Sequence, residues 1–205
     1  ALVVLLIAAR LWIASDGGRA FVESQIDGRE AGPLGTIQID GLSGDPLDRL
    51  GASRVTLTDS EGVWLTMENV AIAWSPARLM SKTVKLDLVS AEKIDVRRRP
   101  VLERDENENS ESSSNWAVSL DQLSIAELLL QEGVAGPRAA FDIDGQFRLP
   151  KSRTFDLSLT ALPLEGVGDR VDATLKRTAS GAYRLDAEVD APAGGTLATL
   201  SNLPD

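Results

Sequence analysis

The chain has 205 residues, enough for one or two ordinary domains. Its 31 Asp and Glu outnumber 21 Lys and Arg, and the formal charge of −10 excludes the basic footprint of a nucleic-acid binder. Histidine and cysteine are both absent, which removes His- or Cys-ligated zinc, iron–sulfur clusters, disulfides, thiol nucleophiles and every Ser-His-Asp or Cys-His arrangement. The chain is therefore read as non-enzymatic and without a cofactor.

Residues 1–15 open with the apolar run Ala1 to Ala9, broken at Arg10 and resumed at Leu11–Trp12–Ile13–Ala14. Fourteen helical residues span ~21 Å, against ~30 Å of hydrocarbon. With no evident A-x-A-like cleavage site, the segment reads as the distal part of a transmembrane signal-anchor helix rather than a signal-peptide core. Arg10 can snorkel to the interface and Trp12 suits an aromatic belt. Over residues 16–32, Phe21, Val22 and Ile26 predict a short juxtamembrane helix and turn, with Asp16 as its cap.

Residues 33–100 change period to two. Ile37 and Ile39 alternate with Thr36, Gln38 and Asp40; Val55 and Leu57 alternate with Arg54, Thr56 and Thr58. Val63 and Leu65 follow a turn at 59–62, and Val70, Ile72 and Trp74 share a face opposite Ala71 and Ala73. Val84, Leu86 and Leu88 alternate with Lys85 and Asp87, and Ile94 and Val96 continue the pattern. Such alternation marks antiparallel strands with one apolar and one solvated face. A short helix is expected at 75–80, with Ser75 as cap and Pro76 at its first position.

Residues 101–115 break the pattern. From Glu103 to Asn115 there is no apolar residue and there are five acids, the composition of a disordered loop or linker. Strand patterning resumes over 116–205, through Leu123, Ile125, Phe141, Ile143, Phe147, Leu149, Phe155, Leu157, Leu159, Val171, Ala173 and Leu175, then Tyr183 to Val189. Asp144–Gly145 is a hairpin-turn signal, and Thr196–Leu200 reads as the start of a short helix.

About twelve strands are expected, each with one apolar face, and no helix is long enough to cover them. So much contiguous apolar surface is unfavourable in water. A closed barrel, a two-sheet sandwich and a sheet curled into a gutter around something greasy would each resolve this. The scarcity of aromatic residues, 4% of the chain, weighs against a sandwich core. Periodicity alone leaves sandwich and gutter equally open.

Four stretches carry a family resemblance. They are Ile37-x-Ile39-x-Gly41-Leu42-Ser43-Gly44-Asp45-Pro46, then Val55-x-Leu57-x-Asp59-x-x-Gly62-Val63-Trp64-Leu65, then Val70-x-Ile72-x-Trp74-Ser75-Pro76-x-x-Leu79, and Ile94-x-Val96-x-Arg98-Arg99-Pro100. With the closing Pro192-x-Gly194-Gly195-x-Leu197, they resemble the N-terminal region of the TamB family, the inner-membrane subunit of the translocation and assembly module among the AsmA-like bridge proteins. The resemblance implies an all-β, mainly antiparallel fold: an elongated curled gutter with an N-terminal membrane-anchor helix and short interrupting helices. It implies a single-pass inner-membrane protein with its body in the periplasm, moving phospholipid toward the outer membrane. It also implies docking on the outer-membrane barrel TamA through a C-terminal region that family members have and this chain lacks.

On that reading the groove candidates are Ile37, Ile39, Val55, Leu57, Val63 and Leu65, followed by Val70, Ile72, Trp74, Leu86 and Leu88. By alternation Trp74 joins the apolar face, whereas Trp64 falls out of phase and either faces outward or sits at a bulge. Asp142 and Asp144 lie on the polar face with no EF-hand spacing after them, so they read as solvated rather than as a calcium site. Gly166–Val167–Gly168 lacks the surroundings of a phosphate loop. Arg97–Arg98–Arg99 at a strand end reads as solvated rather than headgroup-binding. The alternative function is an assembly factor that offers strand edges to nascent outer-membrane barrels or autotransporters, working with TamA. A carboxylate-based hydrolase and a plain structural strut are the remaining rivals.

Overall fold

Strict alternation lasts only a few residues at a time in this chain, and the architecture follows from how it is interrupted. A computed structural model describes residues 28–30, 34–101, 116–150, 154–165, 168–178 and 180–191. It is an open curled sheet, mostly antiparallel. The strands are β1 (Arg29–Glu30), β2 (Thr36–Asp40), β3 (Ser43–Asp45), β4 (Arg49–Asp59), β5 (Gly62–Trp74) and β6 (Thr83–Val96). They continue as β7 (Ala117–Leu130), β8 (Ala139–Leu149), β9 (Phe155–Pro163), β10 (Arg170–Arg177) and β11 (Tyr183–Asp190). All eleven form one sheet in the order β1-β2-β4-β5-β6-β7-β8-β9-β10-β11, with β3 also paired to β4. The anchor helix expected over 1–15, the turns at 16–27, the acidic stretch 103–115 and the helix expected from Thr196 lie outside the described residues.

One pairing departs from the antiparallel rule. β6 and β7 are parallel, from Thr83–Ala117 to Val96–Leu130. Each is 14 residues long, about 46 Å at the usual rise. The chain must therefore travel that length back between Val96 and Ala117, a return no hairpin can make. The acidic stretch lies within this connection, so its position in the sequence matches a topological need.

The apolar positions of β6 are Val84, Leu86, Val89, Ala91, Ile94 and Val96, and their partners on β7 are Val118, Leu120, Leu123, Ile125, Leu128 and Leu130. Both series step by two, three, two, three and two residues. A three-residue step would turn the next side chain to the opposite face, unless an extra bulged residue restores the phase. The register shifts between Leu120 and Leu123, and again between Ile125 and Leu128, where β7 meets β8. In β5 the step from Met67 to Val70 is taken by Asn69, which sits at φ 49°, a left-handed conformation that side chains seldom adopt.

Two expected local features are corrected. Asp144–Gly145 makes no turn: Gly145 lies mid-strand in β8, opposite Leu123 on one side and Leu159 on the other. A Cβ there would stand 2.8 Å from the Ser158 carbonyl oxygen and 2.5 Å from a Leu159 methyl, so the glycine serves close strand approach. Ser75 does not cap the helix after it; that helix is a 3₁₀ segment, Pro76–Ser81, and the Ser75 hydroxyl donates instead to Asp87 at 2.8 Å.

Candidate functional site

Residues directly opposite one another on paired strands share a face. Following the pairs, the row Leu50–Ile72–Val89–Leu123–Gly145–Leu159–Ala173–Ala187 crosses eight strands without a polar side chain. On one side of it runs Ile39–Val55–Met67–Ile94–Leu128–Phe141. On the other runs Trp74–Leu86–Leu120–Phe147–Leu157–Leu175–Leu185. The bulges keep these rows in phase, so one face of the sheet is apolar over nearly its full width.

This face is not closed by a second layer of described strands, all of which belong to one sheet. Among the described residues no large side chain is fully buried, as the middle of a sandwich would require. Leu129, Val55, Ala139, Leu57, Trp64, Ala91, Phe141 and Ile125 are the best covered apolar residues, while Leu185 is 66% and Val189 57% exposed on β11.

Most of the groove candidates fall on this face. Ile37 and Ile39 pair with Leu57 and Val55, and Leu57 with Leu65. Val70 stands opposite Ala52, Ile72 opposite Val89 and Trp74 opposite Leu86. Trp74 is further fixed by its indole N–H, which donates to the Pro46 carbonyl at 2.8 Å. Two candidates do not join them. Val63 pairs with Thr58 beyond the β4–β5 bulge and lines a depression on the polar face. Leu88 pairs with Ala73, and Val89 takes its place in the apolar row. Trp64 takes the bulge rather than facing outward: it is buried, and its indole N–H donates to the Leu34 carbonyl at 3.0 Å. Val89 and the β7 series were not among the candidates, although the two-three interval was present in the sequence.

The opposite face is polar and laced with ion pairs. Arg54 meets Glu68 at 3.3 Å, Lys93 meets Glu127 at 2.7 Å, and Lys85 lies 3.0 Å from Asp121 and 3.3 Å from Asp87. Hydrogen bonds to Glu127 and to Asp121 push the Lys93 and Lys85 ammonium groups above their ordinary values. A depression of about 460 Å³ on this face is lined by Arg54, Glu68, Lys93 and Asp95, cations and anions in alternation. Such a surface is built for water. Asp144, opposite Ser124, belongs to it, and among the described residues no three acidic side chains gather as a cation site would need.

The arginine triplet is structural in part. Arg98 forks onto the carboxylate of Asp59 and also donates to the Gly62 carbonyl at 2.8 Å, while Arg99 donates to the Val134 carbonyl at 2.8 Å. Asp59 also accepts from the Val101 and Glu61 amides.

Comparison with protein-family models, with curated proteins and with solved structures finds no match for this chain. Among the described residues no helix is long and apolar enough to cross a membrane.

Proposed function

We propose that this chain is a segment of a membrane-anchored, non-catalytic bridge of the TamB kind, an elongated β-gutter whose apolar face carries phospholipid acyl chains toward the outer membrane. The observation that supports it is the uninterrupted row from Leu50 to Ala187 on a sheet with an open face. Each acyl methylene laid on such a face gains ~0.8 kcal/mol relative to water. The lining is continuous and nonspecific, so a chain can slide along it without a deep trap. The anchor helix over residues 1–15, the inner-membrane location and a C-terminal partnership with TamA belong to the same proposal and rest on the sequence pattern and the resemblance.

Native mass spectrometry of the chain purified from a diderm host tests this reading. Wild type carries phospholipid; Leu123→Asp, which puts a charge in the central row, carries much less, and Ser124→Asp on the other face carries as much as wild type. Lipid-free wild type, or equal retention by both variants, overturns it.

One observation favours the assembly-factor reading as a second function. Among the described residues β11 is paired on one side only, and all eight of its residues are exposed. That edge could template an incoming strand. Proline at Val189, a β11 residue outside the three named rows, would block strand addition there and leave lipid binding nearly unchanged.

A further inference from the structure

At one end of the apolar face the pattern is broken by a single cation. Arg177 on β10 stands between Phe155 on β9 and Tyr183 on β11, two residues beyond the line Leu157–Leu175–Leu185. Its guanidinium carbon lies 5.6 Å from the centroid of the Tyr183 ring. The Tyr183 and Phe155 rings are 5.8 Å apart, and Phe155 and Phe147 are 6.4 Å apart. These rings form an aromatic rim at the end of the leucine line.

The polar face treats its cations differently. Arg170 bonds Asp172, Arg184 bonds Asp186 at 2.9 Å, and Lys176 lies 3.7 Å from Asp156. Arg177 has no carboxylate among the described residues, and its Nε is buried without a hydrogen-bond acceptor. A buried donor of this kind is normally satisfied. Beside it, a depression of about 350 Å³ opens at the strand ends, where Arg177, Lys176 and Arg148 are set against one carboxylate, Asp156. An oxyanion is the group this corner lacks. A guanidinium binds phosphate through paired N–H donors, and the adjoining leucines and rings offer a path for a chain attached to that phosphate.

We infer that the Phe155–Arg177–Tyr183 corner is a headgroup site for a phosphate-bearing amphiphile, with the phosphate on Arg177 and the chain laid along Leu175, Leu157 and Leu185. This deepens the proposed function and rests on it: the rows hold chains of any kind, and this corner adds a preference for anionic lipids and a defined end at which a lipid enters or leaves. Tyr183 holds the guanidinium over its ring and Phe155 packs against Tyr183, so Arg177 acts on the phosphate and Tyr183 positions it.

Calorimetric titration of the full chain tests it with three probes: dodecyl phosphate, the uncharged dodecyl maltoside (each below its micelle concentration) and inorganic phosphate. Wild type binds dodecyl phosphate about tenfold more tightly than the maltoside, the size expected of one charge-assisted contact, and does not bind inorganic phosphate measurably. Arg177→Gln erases the preference without weakening maltoside binding, Arg177→Lys keeps part of it, and Arg184→Gln on the opposite face keeps all of it. Circular dichroism of each variant confirms an intact sheet. Equal binding of both amphiphiles by wild type, or a preference that survives Arg177→Gln, overturns the headgroup site and leaves the chain-binding face standing. Inorganic phosphate binding as tightly as dodecyl phosphate overturns the lipid assignment. Failure of both amphiphiles overturns this site together with the reading beneath it.

Discussion

The side-chain amide of Asn69 donates to the carboxylate of Glu92 across β5 and β6, at the point where β5 leaves the extended region. At φ 49° Asn69 absorbs the step between Met67 and Val70 and keeps both on the apolar face. Left-handed backbone costs most side chains on the order of 1–2 kcal/mol, and β-branched ones more. Asn69→Gly should therefore keep wild-type stability to within about 0.5 kcal/mol, while Asn69→Val should lose about 2 kcal/mol, read from urea midpoints. Equal midpoints for the two would mean that the left-handed turn at Asn69 is not what holds the phase.

Gly145 carries a second constraint of packing. With Ser158 oxygen 2.8 Å from where a Cβ would stand, Gly145→Ala forces β8 and β9 apart or displaces Leu159. A loss of about 1–3 kcal/mol is expected, as for overpacking elsewhere. Faster amide exchange in β9 than in β5 would locate the damage, and a silent substitution would contradict the close approach.

Trp64 ties β5 to the segment before β2. Trp64→Phe keeps most of the buried ring but removes the N–H donor to the Leu34 carbonyl. The expected cost is about 1–2 kcal/mol, one hydrogen bond plus a small void. Denaturant unfolding of the variant checks it, and an unchanged midpoint would show that the hydrogen bond adds nothing.

Two aspartates set the acid limit. Hydrogen bonds from Arg98 above all, helped by the Val101 and Glu61 amides against the opposing effect of burial, hold Asp59 far below the usual carboxylate range. Arg170, then Thr160, lower Asp172 from 3.8 to about 2. Both folded values lie below the unfolded ones, so the stabilisation is complete above the unfolded value and is lost as pH falls through the folded ones. The melting temperature should stay level between about pH 7 and pH 5 and fall steadily below about pH 4. Asp172→Asn should remove its share of that fall between 3.8 and about 2, and Asp59→Asn should flatten the fall from 3.8 downward, continuing to still lower pH. A melting curve indifferent to acid in wild type would contradict both assignments.

How far the fold could be read in the sequence depended on which physical rule governed each segment. Where pairs such as Ile37–Gln38–Ile39 obey period two, strand and face were both legible. In β6 the expectation of Val84, Leu86 and Leu88 on one face assumed an unbroken period, whereas the bulge hands the third place to Val89. The same interval recurs in β7, and two matching series of six apolar residues are a stronger signal than either alone. The parallel pairing was hidden because alternation looks alike in both directions, and only the length of the intervening acidic segment hinted at it. Asp144–Gly145 misled because a glycine that permits a turn also permits close strands. Arg177, an unpaired cation on the apolar face, was visible as an Arg out of place in the series Val171, Ala173, Leu175, but that Phe155 and Tyr183 flank it depends on the registers of the two neighbouring strands.

The most direct test of the central claim is photocrosslinking in cells along two matched rows. A photoreactive residue is placed at Ile72, Val89 or Leu123, which line up across β5, β6 and β7, or at Ala71, Ser90 or Ser124, which line up on the other face. Phospholipid adducts at the first three positions and none at the second three are the predicted result. Adducts at neither row, or equally at both, would contradict a lipid-carrying apolar face.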